Sequence, residues 1–222
     1  GERVVRECVT GILGRKLGST QVFDPETGAC SHVTVIKAGP CRVTQVKTRE
    51  GHGYSAVQLG FEEVVPQKLR RVTKARQGHF KSAGVPAMRV VREVRLAKDA
   101  EAAPGDTVTV DVFQDIAKVD VCGTSKGRGF SGCIRRHGFS RGPTSHGSKN
   151  VREPGSTGGK GSVPAKVIKG KRMPGQFGNA RRTVRNLQVV RIDTDNDILL
   201  VKGAVPGPRG GLVVISDSIG MK

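Results

Sequence analysis

The sequence predicts a mainly β protein, a barrel of short antiparallel strands with a small inserted α+β portion and a long basic extension loop. Three observations lead there. β-Branched apolar residues alternate with polar ones in short runs, turn signals separate the runs, and the strand-like parts bracket a stretch almost without apolar residues. Period-two alternation makes one face of each strand apolar, and curling the sheet on itself buries that face while closing its edges.

Residues 1–10 read as a polar lead-in. The first part of the barrel spans 11–65: residues 20–23 are extended, Pro25-Glu-Thr-Gly28 is a turn, 32–37 alternate with Val33, Val35 and Lys37 on one face, 42–47 alternate again, and 54–59 follow the turn Gly51-His-Gly53. The inserted α+β portion, 66–103, begins basic and without alternation, predicts a short helix over 74–83, and returns to strand at 88–96. The middle strands of the barrel lie in 104–123, at 107–113 and 119–121, after the turn Pro104-Gly-Asp106. The C-terminal strands fall in 184–222. There 184–192 and 198–202 flank Asp193-Thr-Asp-Asn-Asp197, a hairpin signal, and 211–215 closes the set. With 36% apolar residues, no Trp, one Tyr and seven Phe, the core must come mostly from Val, Ile, Leu and Ala.

The remaining segment, 124–183, is where function is sought. Between Thr124 and Asn186 fifteen Lys/Arg face one acid, Glu153, so fourteen of the net +19 charges fall in that stretch. Such an excess calls for a polyanion. No run approaches the roughly 18–20 apolar residues that span a bilayer, and no amphipathic helix is long enough to lie on one, so the partner is nucleic acid and not a membrane. Within 138–166 only Phe139, Val151, Val163 and Ala165 are apolar, against seven Gly and three Pro. Ordering that backbone costs about 30–60 kcal/mol, whereas four buried side chains return roughly 1–3 kcal/mol each. The expectation is a stretch that takes its shape against a partner.

Other chemistries find little support. The cysteines, Cys8, Cys30, Cys41, Cys122 and Cys133, are odd in number and contain no C-x-x-C pair, which indicates neither a zinc site nor a disulfide framework. Gly127-Arg-Gly-Phe-Ser-Gly132 spells G-x-G-x-x-G, but a dinucleotide site also needs a βαβ unit and an acid about twenty residues on; the next acid is Glu153, in a Gly/Pro loop. Arg128-Gly-Phe130 begins like an RNA-recognition motif, and the following residues supply no further stacking aromatics. No histidine has a carboxylate at base-pairing or ligand spacing. Ser145 and His146 are adjacent, but a basic loop offers no oxyanion site. Glycine among Lys and Arg, as in Gly170-Lys-Arg-Met-Pro-Gly175, instead suggests backbone brought close to phosphates that the cations neutralise.

Several segments resemble one family throughout. Gly11-Ile-Leu-Gly-Arg-Lys-Leu-Gly18, Val43-Thr-Gln-Val-Lys-Thr48, Gly53-Tyr-Ser-Ala-Val-Gln58 and Gly78-His-Phe-Lys-Ser-Ala-Gly84 are similar to the bacterial-type universal large-subunit ribosomal protein three. So are Val119-Asp-Val-Cys-Gly-Thr-Ser-Lys-Gly-Arg-Gly-Phe130, Thr144-Ser-His-Gly-Ser-Lys149, Pro154-Gly-Ser156, Lys169-Gly-Lys-Arg-Met-Pro-Gly175 and Leu200-Val-Lys-Gly-Ala-Val-Pro-Gly207. The resemblance implies a translation-protein-type β-barrel and an extension running through large-subunit rRNA towards the peptidyl-transferase centre. It also implies contacts with neighbouring large-subunit proteins, numbers fourteen and nineteen, and a part in subunit assembly. Two departures stand out: the family's Gly-Met-Thr reads Gly18-Ser-Thr20, and the glutamine that some members methylate aligns with Gly159.

The resulting expectation is a non-enzymatic, rRNA-binding constituent of the large ribosomal subunit that needs no cofactor. Lys126, Arg128, Arg135, Arg136, Arg141, Lys149, Arg152, Lys160, Lys166, Lys169, Lys171, Arg172, Arg181 and Arg182 would neutralise phosphates, and His137 and His146 would bond base or sugar. The bacterial-type pattern, together with Gly1 in place of an initiator Met, tips the expected location towards an organelle ribosome, the plastid first, over a bacterial cytoplasm. The rivals are an RNA-modifying enzyme, which needs a cofactor pocket with convergent acid and base groups, and a general nucleic-acid binder, which would not prefer folded rRNA to duplex DNA.

Overall fold

Thirteen residues, Gly11–Phe23, make strand β1, and its length comes from serving two neighbours. The computed structural model describes residues 11–25, 28–96, 101–158 and 167–218. The strands after β1 are β2 (Cys30–Ala38), β3 (Cys41–Lys47), β4 (Ala56–Glu63), β5 (Met88–Arg95), β6 (Thr107–Val108), β7 (Lys118–Thr124), β8 (Phe130–Ser131), β9 (Gly175–Gln176), β10 (Arg181–Asp193), β11 (Ile198–Lys202) and β12 (Leu212–Asp217). Three short helices, α1 (Arg49–His52), α2 (Lys74–Ser82) and α3 (Cys133–His137), and two 3-10 turns, Pro66–Arg71 and Val110–Phe113, complete the described elements. The chain divides into two units: the described residues up to Thr124 and from Arg181 onward form one, and Ser125–Ala180 forms the other.

The first unit contains a closed antiparallel barrel in the order β1-β12-β7-β10-β11-β2. The start of β1 pairs with β12, from Gly11↔Ser216 to Arg15↔Leu212, and the strand then runs along β2 to Phe23↔Cys30. A register shift between Lys16 and Gly18 lets β1 bend from one partner to the other. At Gly14 a Cβ would sit 2.5 Å from the Lys37 carbonyl oxygen, so only glycine permits this approach of β1 to β2. The 13-residue β10 bends twice, between Val184 and Leu187 and between Val189 and Arg191. At the first bend Asn186 has φ +57, and its backbone N–H donates to Oδ1 of the buried Asp120 at 2.9 Å.

The core is aliphatic, as the composition required. Ile12, Leu13, Ile36, Val119, Val121, Leu199, Val201, Val213 and Ile215 are fully buried, and Phe61 and Phe113 are the aromatic members of the same cluster. On β2 the inward side is Thr34, Ile36 and Ala38, with Val33 buried as well and Lys37 outside.

Strand partners differ from the sequence reading. Residues 11–65 and 104–123 were expected in the barrel, but β3, β4 and β6 join β5 in a separate four-stranded sheet, ordered β5-β4-β3-β6. Gly39, at φ +89, turns the chain out of β2, and Cys41 and Arg42 then pair with Phe61 and Gly60 on one side and Val108 and Thr107 on the other. Alternation reveals that a stretch is a strand; it carries no record of the neighbour. The expected strand over 107–113 also shortens to β6. Beyond it Asp111 holds a 3-10 turn, accepting from the Thr109 hydroxyl at 2.8 Å and from Gln114 Nε2 at 3.0 Å. With three residues per turn, Val110 and Phe113 both enter the core, where a strand would have sent them to opposite faces. The helix expected over 74–83 is α2, whose buried Phe80 packs with Ala83, Val85 and Met88 in a second small cluster.

An ion pair links β1 to β4. Arg15 Nη2 donates to Glu62 Oε2 at 2.7 Å, a second bond runs from Arg15 Nε to Glu62 Oε1, and both side chains are about three-quarters covered. The hydrogen bond from Arg15 holds the Glu62 carboxyl below its usual range; burial opposes this, and the charges of Arg15, Arg89 and Lys37 add to it. A carboxyl with a depressed folded pKa stabilises the fold above its unfolded pKa, about 4.3, and that contribution is lost as pH falls through the folded value. The Glu62→Gln variant is therefore expected to lose stability less steeply than the parent as pH falls below about 5. Urea midpoints measured across the acid range check this, and parallel curves for the two proteins would refute it.

Candidate nucleic-acid interface

The second unit begins and ends in a ladder of its own. Ser125 N–H donates to the Ala180 carbonyl, Arg128 N–H to Phe177 and Phe177 N–H to Gly129, each at 2.9 Å, and β8 then pairs with β9 through Phe130↔Gln176 and Ser131↔Gly175. Glycine makes this ladder possible. Gly178 has φ +70, and a Cβ there would lie 2.0 Å from the Lys126 carbonyl oxygen. The sequence reading of glycine among Lys and Arg, in the run from Gly170 to Gly178, is backbone brought close to phosphate; Gly178 also brings the two sides of the ladder close to each other. Gly142 does the same further on, with its N–H on the Val151 carbonyl at 3.0 Å and a Cβ position 2.3 Å from the Asn150 oxygen.

After β8 the chain makes the five-residue α3, ended by Gly138 in the left-handed region. Arg136 Nη1 donates to the Met173 carbonyl at 2.8 Å, and His137 Nε2, which must carry its proton to meet an acceptor, donates to the same oxygen at 3.0 Å. These two side chains, expected to face RNA, thus also tie α3 to the segment before β9. The other expected contacts are exposed: Lys126, Arg128, Arg135, Arg141, His146, Lys149, Arg152, Lys169, Lys171 and Arg172 in this unit, and Arg181 and Arg182 at the start of β10. Arg181 Nε also meets Cys122 Sγ at 3.0 Å across β7 and β10. Lys160, Lys166 and the loop tip at Gly159 lie outside the described residues.

Glu153 is the single acid in the sequence of this unit, so its cations have no internal partner of opposite sign beyond that residue. The ion pairs Arg15–Glu62, Arg42–Glu63 and Lys47–Glu93 belong to the other unit. Among the described residues no three His, Cys, Asp or Glu side chains converge as a metal site would require, and no helix is long and apolar enough to cross a membrane. Gly127 to Gly132 runs from the end of β7 through β8, which pairs with the distant β9, rather than into a βαβ unit.

Two features escaped the sequence reading. The first is a second cationic stretch, with Lys68, Arg70, Arg71, Lys74, Arg76 and Lys81 all exposed and no acid between residues 66 and 82. Its charge was visible, but the larger excess after Thr124 drew all the site assignments. The second is Phe130, whose ring is 80% exposed although strand patterning favours burial of a phenylalanine.

The chain combines a β-barrel with a glycine-rich unit whose exposed cations outnumber its single acid, the composition that suits a polyanion-binding protein. Comparison with known proteins gives the class a family. The model of the family described as ribosomal protein L3 matches residues 64–197. Proteins called large ribosomal subunit protein uL3 match nearly end to end: that of Heliobacterium modesticaldum is 51% identical over 96% of this chain and 98% of its own length. That of Thermotoga petrophila is 56% identical over 92% and 95%, and that of Pelotomaculum thermopropionicum 53% identical over 94% and 96%. The chain belongs to the ribosomal protein L3 family, and it is a structural component of the ribosome, not an enzyme.

Proposed function

We propose that the protein binds large-subunit rRNA as a structural constituent of the large ribosomal subunit, with the unit Ser125–Ala180 as its main RNA-contacting part. The observation that carries this reading is the set of exposed Lys and Arg side chains in a unit with one acid. Such a surface gains most where condensed counterions are released from phosphates. Segment 124–183 threads between rRNA helices towards the peptidyl-transferase centre and holds their relative positions, so its influence on peptide transfer is indirect. Neighbouring large-subunit proteins, numbers fourteen and nineteen, complete the surroundings during subunit assembly. The relatives compared are bacterial, which favours a bacterial ribosome and lends nothing to the plastid assignment.

Competition separates this reading from a general polyanion binder. With the protein bound to a labelled large-subunit rRNA fragment, unlabelled folded rRNA is expected to displace the label at a much lower concentration than duplex DNA of equal phosphate content. Equal displacement by the two competitors would overturn the assignment.

A further inference from the structure

We infer that Phe130 and Gln176 form a stacking platform for one unpaired RNA base, an inference that rests on the RNA-binding reading and adds a base contact to it. Phe130 is the most exposed large apolar side chain among the described residues. Its place is built rather than incidental. The hydrogen bonds Arg128 N–H to Phe177 and Phe177 N–H to Gly129 hold the backbone just before it, and Ser131 just after it is buried. The short two-stranded sheet therefore has a covered side at Ser131 and an open side where Phe130 stands directly opposite the exposed Gln176.

Single exposed apolar residues are common, so exposure alone decides nothing. The neighbours decide. A protein-docking surface gathers several apolar side chains and loses charge at its centre. Around Phe130 the chain and the ladder offer Arg128, Gly129, Ser131, Gly175, Gln176 and the half-buried Phe177, with Lys126 two residues further back and Arg135 exposed on α3. A flat ring with cations beside it suits a nucleobase, because every base presents a π face and the following phosphates meet the cations. Cross-strand neighbours stand about 5 Å apart, which puts the Gln176 amide, with its donors and acceptor, beside the edge of a base lying on the ring. The base must be unpaired, since paired bases have no free face for a side chain to cover. An RNA-recognition motif uses several aromatics on a four-stranded sheet; this strand pair exposes one, so it holds one base and supplies affinity with little sequence preference.

The chain has no tryptophan, so Phe130→Trp places its sole indole at the platform. The full-length variant is titrated with an adenine-only RNA strand of roughly twelve nucleotides, within the range one small binding surface covers, and with an RNA duplex of the same length. Quenching by the single strand and not by the duplex is the expected result. In the same assay Phe130→Ala and Phe130→Leu should each weaken single-strand binding roughly five- to a hundredfold, leave duplex binding unchanged, and be rescued in Phe130→Trp. Salt-sensitive binding that is equal in wild type and Phe130→Ala would remove the platform while leaving the phosphate contacts standing. Loss of all RNA binding by the wild type at low salt would remove both. A blue-shifted indole before any RNA is added would place the ring against protein and overturn the inference.

Discussion

Raising salt from about 50 to about 200 mM is expected to weaken binding to a large-subunit rRNA fragment by roughly 10³–10⁵-fold. This is the largest effect the molecule should display. Each cation that meets a phosphate releases condensed counterions, and the entropy of that release falls as bulk salt rises. The unit Ser125–Ala180 exposes ten of the residues named as contacts, and Arg181 and Arg182 follow on β10. If about seven act together, the logarithmic slope lies near −5 to −6. Replacing Arg128, Arg135 and Arg172 together by Ala should reduce the slope by about 2–3. Arg136 is a poor choice for that experiment, because its bond to the Met173 carbonyl makes its loss structural as well as electrostatic. Filter binding or fluorescence anisotropy across a salt series gives the slope directly, and an affinity indifferent to salt would defeat the reading.

The second large effect is on stability. Phe113 is fully buried in a core otherwise made almost wholly of aliphatic side chains, at the end of the 3-10 turn that follows β6. Truncation to Ala removes an entire ring from a region whose barrel and sheet walls are hydrogen-bonded ladders with little freedom to collapse inward. Phe113→Ala is expected to cost about 3–5 kcal/mol, a large share of the roughly 5–15 kcal/mol that holds a domain folded. Phe23→Ala provides the contrast: that ring is 64% exposed, so its removal should change stability by less than about 0.5–1 kcal/mol. Urea unfolding followed by far-UV circular dichroism measures both, and equal midpoints for the two variants would contradict the description of the core.

Much of this protein can be read from residue order. The runs 32–37, 42–47, 88–96, 184–192 and 198–202 all correspond to strands, because period-two alternation is a local property of the chain. The cationic character after Thr124 is simply a count. Pairing was less accessible. β3 alternates as clearly as β2, yet one lies in the four-stranded sheet and the other in the barrel, a choice that depends on the turn at Gly39 and on strands dozens of residues away. Glycine spaced with Lys and Arg reads as openness to phosphate; that Gly142 and Gly178 are also required by carbonyl oxygens of the same unit could not be read from the sequence. Arg136 reads as a phosphate contact and His137 as a base or sugar contact; only the structure shows that both also bond the Met173 carbonyl.

Residue order alone therefore determined the strand content, the aliphatic core and the excess of positive charge, since each follows from side-chain chemistry and short-range spacing. Only the tertiary structure decided which strands close the barrel, which cations also hold backbone, and that Phe130 stands open opposite Gln176. The physical reason is that pairing and exposure depend on groups far apart in the chain, and no local pattern specifies which of those groups will meet.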